Sequence, residues 1–302
     1  MKLSIITINY NNAEGLRKTL ASVAAQTYNN IEHIIIDGGS TDGSVDIIRE
    51  YAAHNAIFSS YRVTSATHSI IWISEKDNGI YNAMNKGILK ATGDYIQILN
   101  SGDILAANDV PERMMSALES QNDEMSRTNV LNEPLSLNDG KVGILYGNMI
   151  KKDNATGKII GKSREVEYSL RNYYSGTMNH DCCYIRRDLF ETYGLYDENL
   201  KIVSDWKWFL LVIGLGNVKP VYVDIDITIF DASGISESNL TLRNKERRQV
   251  LEDVLPPAIL ADYEAHAFDT RQMDRLRKHH LYGLVYFMER VLFKLEKWHI
   301  LK

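Results

Sequence analysis

Four times in the first hundred residues, an apolar run opens into a polar, glycine-bearing turn and then into a helical pattern. Residues 3–8 form the first run, continuous enough for a strand covered on both faces. Asn9-Tyr10-Asn11-Asn12 follows, with Asn11 or Asn12 placed to cap a helix whose apolar face is Leu16, Leu20 and Val23. The second run, 31–36, ends in Asp37-Gly38-Gly39-Ser40-Thr41-Asp42-Gly43-Ser44 and leads to a helix carrying Val45, Ile48 and Ala52. The third, 70–74, ends in Glu75-Lys76-Asp77-Asn78-Gly79 before a helix with Ile80, Ala83, Met84, Gly87, Ile88 and Ala91. The fourth, 95–99, opens into Asn100-Ser101-Gly102-Asp103. This repetition predicts a parallel sheet with right-handed crossovers, so that all four turns share one edge. In such sheets ligands occupy the crevice at the carboxyl ends of the strands.

The later chain is less regular. Residues 119–143 are polar and read as a surface excursion. A strand resumes at 144–146, and 149–152 with 159–163 predicts a hairpin around 154–157, whose Lys and Arg belong to solvated strand faces. His180-Asp181-Cys182-Cys183-Tyr184-Ile185-Arg186-Arg187 precedes a short helix to Tyr193. The loop Gly194-Leu195-Tyr196-Asp197-Glu198-Asn199 then leads to Ser204-Asp205-Trp206, at the start of a further helix. Two late strands, 218–223 and 225–230, are followed by a flexible turn over 231–236. A helix over 241–254 is stopped by Pro256-Pro257. From 258 onward the pattern is helical, and residues 279–302 are amphipathic and basic, with Arg290, Lys294 and Lys297 beside Leu284, Phe287, Met288, Val291 and Leu292. Such a face suits packing on the main domain, a homodimer or a membrane surface.

Composition narrows the picture. The 302 residues are 44% hydrophobic and 24% charged, ordinary for a globular protein with a sizeable core. A net charge of −5 argues against a nucleic-acid partner, so an anionic ligand has to be met locally. Cys182 and Cys183 are adjacent, and strand neighbours face opposite ways, which predicts buried free thiols. No signal-like segment precedes residue 3 and no run approaches a membrane span, so the expected location is the cytoplasm or the inner face of its membrane. Neither G-x-G-x-x-G after the first strand nor G-x-x-x-x-G-K-[ST] occurs. Phosphates therefore have no glycine cradle, which favours a metal bridge as the expectation.

Asp37, Asp77 and Asp103 come from three turns yet face one crevice. A carboxylate just past a strand can hold a divalent cation, which in turn holds a pyrophosphate. Asn-Ser-Gly-Asp is also good β-turn chemistry, and on those four residues alone the turn is the better account. Asp205 opens a helix, where capping is the ordinary role of an acidic residue. At the mouth of an aromatic-lined pocket it also suits a general base, burial keeping its pKa from falling far. His180 fits either a structural hydrogen bond or a site.

Taken in order, Ser4-Ile5-Ile6-Thr7-Ile8-Asn9-Tyr10-Asn11-Asn12, Asp37-Gly38-Gly39-Ser40-Thr41-Asp42-Gly43, the Asp77–Gly87 segment, Gly93 to Asp103, and Asp197-Glu198 with Ser204-Asp205-Trp206 resemble the family 2 glycosyltransferases over about residues 1–240. Within that family the chain looks like the bacterial enzymes that build surface polysaccharides. The resemblance implies an α/β GT-A fold: a mixed, mostly parallel central sheet flanked by helices, with residues 241–302 as a C-terminal helical extension. It implies inverting transfer of a sugar from a nucleotide donor, usually a UDP-sugar, to a hydroxyl of a glycan or lipid-linked acceptor. By the same resemblance Ile8, Asn9, Tyr10, Asp37, Asp77, Asn85, Asn100 and Ser101 fall on the donor nucleotide, and His180, Asp197 and Glu198 on the acceptor side. Asp205 matches the catalytic base and Asp103 the metal position, for Mn²⁺ or Mg²⁺. The family's metal motif is often Asp-x-Asp-Asp. Here it is Asn100-Ser101-Gly102-Asp103, and one carboxylate should bind the cation more weakly than two. A nucleotide-sugar-binding subunit without turnover, or a nucleotidyltransferase, are the other classes this pattern admits.

Overall fold

In the computed structural model the described residues are 1–61, 68–128, 141–153, 156–166, 168–170, 173, 176–231 and 239–297. The first four units fold as their patterns require: β1 (Leu3–Asn9), α1 (Ala13–Ala24), β2 (Ile31–Asp37), α2 (Ser44–Tyr61), β3 (Ser69–Ser74), α3 (Ile80–Lys90) and β4 (Tyr95–Asn100). β1 pairs in parallel with β2 and β4, and β2 with β3. Both β1 and β2 are buried along their whole length, which is why they read as unbroken apolar runs. Asn12 is the residue that caps α1, its side-chain oxygen accepting the Gly15 N–H.

After β5 (Ile104–Leu105) and α4 (Val110–Thr128), the chain adds β6 (Ile144–Lys152), β7 (Ile159–Lys162), a 3₁₀ turn at His180–Cys182, β8 (Cys183–Arg186), α5 (Asp188–Tyr193), α6 (Ser204–Phe209) and β9 (Pro220–Asp231). The nine-stranded sheet runs β3-β2-β1-β4-β8-β6-β9-β5, with β7 on β6. β8 pairs antiparallel with β4 and β6, while β6 and β9 are parallel. The sheet is thus mixed and mostly parallel, as expected.

Three expectations are corrected. The excursion expected from residue 119 begins as helix: α4 buries Val110, Met114, Met115 and Leu118, and its polar later turns continue to Thr128. A solvated helix end is as poor in apolar residues as a loop, so composition could not separate them; residues 129–140 lie outside the described ones. The two late strands are one, β9, whose register against β6 shifts between Tyr146 and Met149. Gly147 makes the shift possible, since a Cβ there would meet the Ile225 carbonyl at 2.5 Å. Cys182 and Cys183 are buried and free, as expected, but do not diverge. Both thiols reach the Asn179 carbonyl, at 3.2 and 3.1 Å, because Cys182 ends the 3₁₀ turn and is not in the strand. The expected hairpin turn at 154–155 and most of the turn at 231–236 fall outside the described residues.

Helix α3 packs closely over the sheet at Gly87, where a Cβ would stand 2.4 Å from Ile6 Cγ2. Ile6 is fully buried in the central strand and has no room to yield. Gly87→Ala is expected to cost about 1–3 kcal/mol by overpacking, read as a lower denaturant midpoint at unchanged slope.

The chain divides into two units, Met1–Arg247 and Arg248–Lys302. The first runs past the expected boundary at 240 because α7 (Leu240–Val254) is tied to it. Glu246 accepts the backbone N–H of Lys201 and Ile202, and Arg247 lies over Trp206. The second unit holds the end of α7, then α8 (Pro257–Lys278) and α9 (Tyr282–Lys297), separated at His280, whose φ is 57°. On α9, Leu284, Phe287, Met288, Val291 and Leu292 are exposed. No helix among the described residues is long and apolar enough to cross a membrane.

Candidate functional site

The ends of β1, β2, β3 and β4 lie side by side, and each contributes a different element. Asp37, at the end of β2, is 0% exposed. One of its oxygens accepts from Asn9 Nδ2 at 2.7 Å and Ser40 Oγ at 2.6 Å; the other accepts from Ser74 Oγ at 2.7 Å and the N–H groups of Gly39 and Ser40. Burial raises the pKa of this carboxyl, but the bonds from Ser40, Ser74 and Asn9 outweigh it and hold it below the usual carboxylate range. Expected at the nucleotide, Asp37 is committed to the turn it starts. That turn presents Gly38, whose Cα faces Asp77 and Tyr10: a Cβ there would fall 2.5 Å from Asp77 Oδ2 and 3.1 Å from the Tyr10 ring. Tyr10 is 66% exposed, and Ile8 and Asn9 beneath it are buried. An exposed ring, a bare glycine backbone and an adjacent carboxylate make a platform suited to a flat polar ring system.

At the end of β4, α1 pins the loop. Asn12 Nδ2 donates to the Ser101 carbonyl at 2.9 Å. Thr19 Oγ1 accepts the Gly102 N–H at 3.0 Å and donates to the Asp103 carbonyl at 2.7 Å. Gly102, at φ 110°, occupies a conformation that suits glycine. Asp103 is 4% exposed, and the Oδ1 of Asn100 is buried without a hydrogen-bond partner.

Asp205 lies in the first turn of α6, and both its oxygens are held. Oδ1 accepts the Tyr81 hydroxyl at 2.9 Å, and Oδ2 lies 3.1 Å from His180 Nδ1. The other ring nitrogen, Nε2, is 3.3 Å from Asn100 Nδ2. Tyr81, Asp205, His180 and Asn100 therefore form one chain from α3 to the end of β4, three residues before Asp103. Their placement follows from the sheet order, which sets β8 and the 3₁₀ turn before it directly beside β4. Burial disfavours a cation at His180, yet the bond and charge of Asp205, with Asp181 and Asp103 nearby, lift its pKa above the ordinary imidazole range. Burial likewise pushes Asp205 up, but the His180 bond and charge and the Tyr81 bond bring it below the usual carboxylate range. Desolvation opposes the fall, in the direction expected, and the two donors outweigh it. Tyr81 is driven well above its ordinary pKa by burial and by Asp205, and so remains a donor.

Asn85, expected at the nucleotide, is bonded within the protein. It is 4% exposed, and its amide is spent on the loop after α5: Nδ2 donates to the Tyr196 carbonyl and to Glu198, and Oδ1 accepts the Tyr196 N–H. Glu198 also accepts from Asn82, and Asp197 from Lys207 Nζ at 2.6 Å. Asp197, Glu198 and Asn85 thus fasten this loop between α3 and α6. Two residues here have roles that the sequence motifs do not mark. Tyr81 lies inside the Asp77–Gly87 segment, where its place in the first turn of α3 was the only clue; Arg247 comes from a helix that the motifs did not reach.

No group of three or more His, Cys, Asp or Glu is placed to hold a metal among the described residues. What the site offers a cation is hard oxygen: the Asp103 carboxylate and the orphaned Asn100 Oδ1. That donor set fits Mg²⁺ or Mn²⁺ shared with phosphate oxygens and water, and does not fit an all-protein cage.

The model of glycosyl transferase family 2 matches residues 4–194. A Mycobacterium tuberculosis protein described as an uncharacterized glycosyltransferase is 29% identical over 236 residues, 77% of this chain and 76% of its own. A PGL/p-HBAD biosynthesis glycosyltransferase of Mycobacterium bovis is 28% identical over 203 residues, 67% of this chain and 66% of its own. Among solved structures, the mannosyltransferase PcManGT of Pyrobaculum calidifontis in complex with GDP-Man and Mn²⁺ aligns with a TM-score of 0.57 at 16% identity, over 88% of this chain and 69% of that one. Staphylococcus aureus TarS in complex with UDP-GlcNAc aligns with a TM-score of 0.55 at 16% identity, over 83% of this chain. The chain spans 60–64% of those shorter TarS chains. At these identities the likeness is one of fold, and the fold is GT-A.

Proposed function

The chain belongs to glycosyl transferase family 2, and from that membership we propose that it moves a sugar, with inversion at C1, from a UDP-sugar to a hydroxyl of a glycan or lipid-linked acceptor in cell-surface polysaccharide synthesis. The observation that carries this reading is the hydrogen-bonded chain Tyr81–Asp205–His180–Asn100. It joins a base-forming carboxylate to the strand end where the diphosphate would rest.

In this mechanism the nucleoside lies over Tyr10 and Gly38, with Asp77 reaching its polar edge. Ile8 and Asn9 form the floor beneath, and Ser101 borders the diphosphate. Asp205 takes the proton of the acceptor hydroxyl as that oxygen attacks C1. Tyr81 and His180 fix the carboxylate so that little reorganisation accompanies the transfer. Asp205 keeps the proton it takes, while the Tyr81 hydroxyl and His180 Nδ1 stay as its partners and Asn100 meets Nε2. A divalent cation held by Asp103 and Asn100 would neutralise charge growing on the leaving diphosphate. His180, Asp197 and Glu198 border the acceptor side, the last two by holding the loop of residues 194–199 against α3. The donors in the titles of two structural neighbours, UDP-GlcNAc and GDP-Man, support a nucleotide-sugar, and the Mn²⁺ in the second supports a cation.

A thermal-shift panel of UDP-, GDP- and dTDP-sugars, with Mn²⁺ and with chelator, tests donor and cation together. The expected outcome is a UDP-specific rise in melting temperature that chelation removes. A rise with another nucleotide alone would overturn the donor assignment, and no release of free UDP with any acceptor would overturn transfer.

A further inference from the structure

Helix α7 carries two arginines one turn apart, Arg243 and Arg247, within the first unit. Glu246 fixes the helix there by accepting the N–H of Lys201 at 2.8 Å and of Ile202 at 2.9 Å, just before α6 and Asp205. The Arg247 guanidinium carbon lies 5.0 Å from the centre of the Trp206 ring, and Nη2 donates to the Gly176 carbonyl at 3.3 Å. The Nε of each arginine is buried with no hydrogen-bond partner. Among the described residues no carboxylate forms an ion pair with either. Burial, and after it the like charge of Arg243, lowers the pKa of Arg247, while Asp205 draws it the other way.

Repulsion and unpaired buried donors both oppose the folded state, so the arrangement needs a reason outside the fold. A neutral sugar hydroxyl can accept from an unpaired donor but leaves the repulsion as it is. A phosphate relieves both: it carries charge, and its oxygens match the planar fork of a guanidinium two at a time. The donor's own diphosphate is assigned to Asn100 and Asp103, whereas Arg247 touches Trp206 and Gly176 and Arg243 lies one turn before it on the same helix. We infer that Arg243 and Arg247 form a subsite for a phosphate or phosphodiester group carried by the acceptor, beside Asp205. This rests on the transferase reading above and deepens it: the acceptor is anionic, a glycan bearing a phosphate or one linked to a lipid through phosphate.

Calorimetry on the full chain, saturated with UDP and Mn²⁺ and titrated with inorganic phosphate and with glycerol 1-phosphate, tests it. The expected result is a saturable event that persists with UDP bound and weakens at least about tenfold in Arg243→Gln/Arg247→Gln, while UDP affinity stays unchanged. The double lysine variant keeps part of it. Arg243→Gln alone leaves the Trp206 contact intact and carries the test if the double variant does not fold. Phosphate binding abolished by UDP would assign the arginines to the donor and overturn the proposal. So would unchanged phosphate binding in the variants, or tighter binding of glucuronate than of phosphate. A chain with no affinity for UDP would defeat the transferase reading instead, and phosphate titrated without nucleotide would still read the arginines.

Discussion

Asp205→Asn is expected to lower kcat for sugar transfer by about 10²–10⁴-fold, the contribution of a positioned general base, and to leave UDP affinity as it is. The substitution is nearly isosteric, and the network around it can be kept. The new carbonyl oxygen still accepts the Tyr81 hydroxyl, which donates to Oδ1 at 2.9 Å in the native protein. The new amide can donate to His180 Nδ1, provided the imidazole proton moves to Nε2. Alternatively the new amide turns so that its oxygen faces His180 Nδ1, and Asn100 keeps its place beside Nε2. What is lost is the basicity of one oxygen. Transfer rates and UDP calorimetry on the same preparation separate the two effects, and a variant with native turnover would remove Asp205 from the chemistry. The pH profile adds a sign. Asp205 must be ionised to accept a proton, and His180 and Tyr81 hold its pKa below the usual carboxylate range. Activity of the free enzyme is therefore present above that depressed pKa and lost as pH falls through it. His180→Asn removes a bond and a charge that favour the carboxylate, so the acid limb of kcat/KM should move to higher pH. A limb that stays in place would separate His180 from the base.

The second large effect concerns Asp103. Asp103→Ala is expected to remove the Mn²⁺-dependent part of UDP binding, a loss of at least about tenfold in Kd or about 1.4 kcal/mol. The loop should survive, because its shape depends on main-chain bonds: the Asp103 N–H to the Asn100 carbonyl at 3.0 Å, and the Asp103 carbonyl to Thr19 at 2.7 Å. Calorimetry with Mn²⁺ and with chelator gives two affinities for the native protein and a single, weaker one for the variant. If the native affinity is the same in both buffers, one carboxylate in place of the usual two is too few, and the cation drops out of the mechanism.

Asp37 and Asp77 show how far a local pattern reaches. Asp37 ends β2 and Asp77 lies three residues past β3, each in a polar turn that contains glycine, and residue type alone does not say which of them meets a ligand. In the fold one is enclosed by Asn9, Ser40 and Ser74, two of which come from neighbouring strands, and the other stands beside the bare Gly38 backbone. The company Asn85 keeps in sequence points to the nucleotide. Its partner, Tyr196, is 111 residues away. Tyr81 carries no local signal of its role, which exists only where α6 returns Asp205 to it, 124 residues later.

By itself the sequence determined the strands, the helices between them and the edge on which the turns gather. Strand burial and helical periodicity are written into consecutive side chains, and right-handed crossovers do the rest. The tertiary structure decided which acidic and amide groups meet a ligand and which hold a loop. It did so by laying β8 beside β4, so that desolvation and hydrogen-bond partners arrive from segments with no local trace of one another.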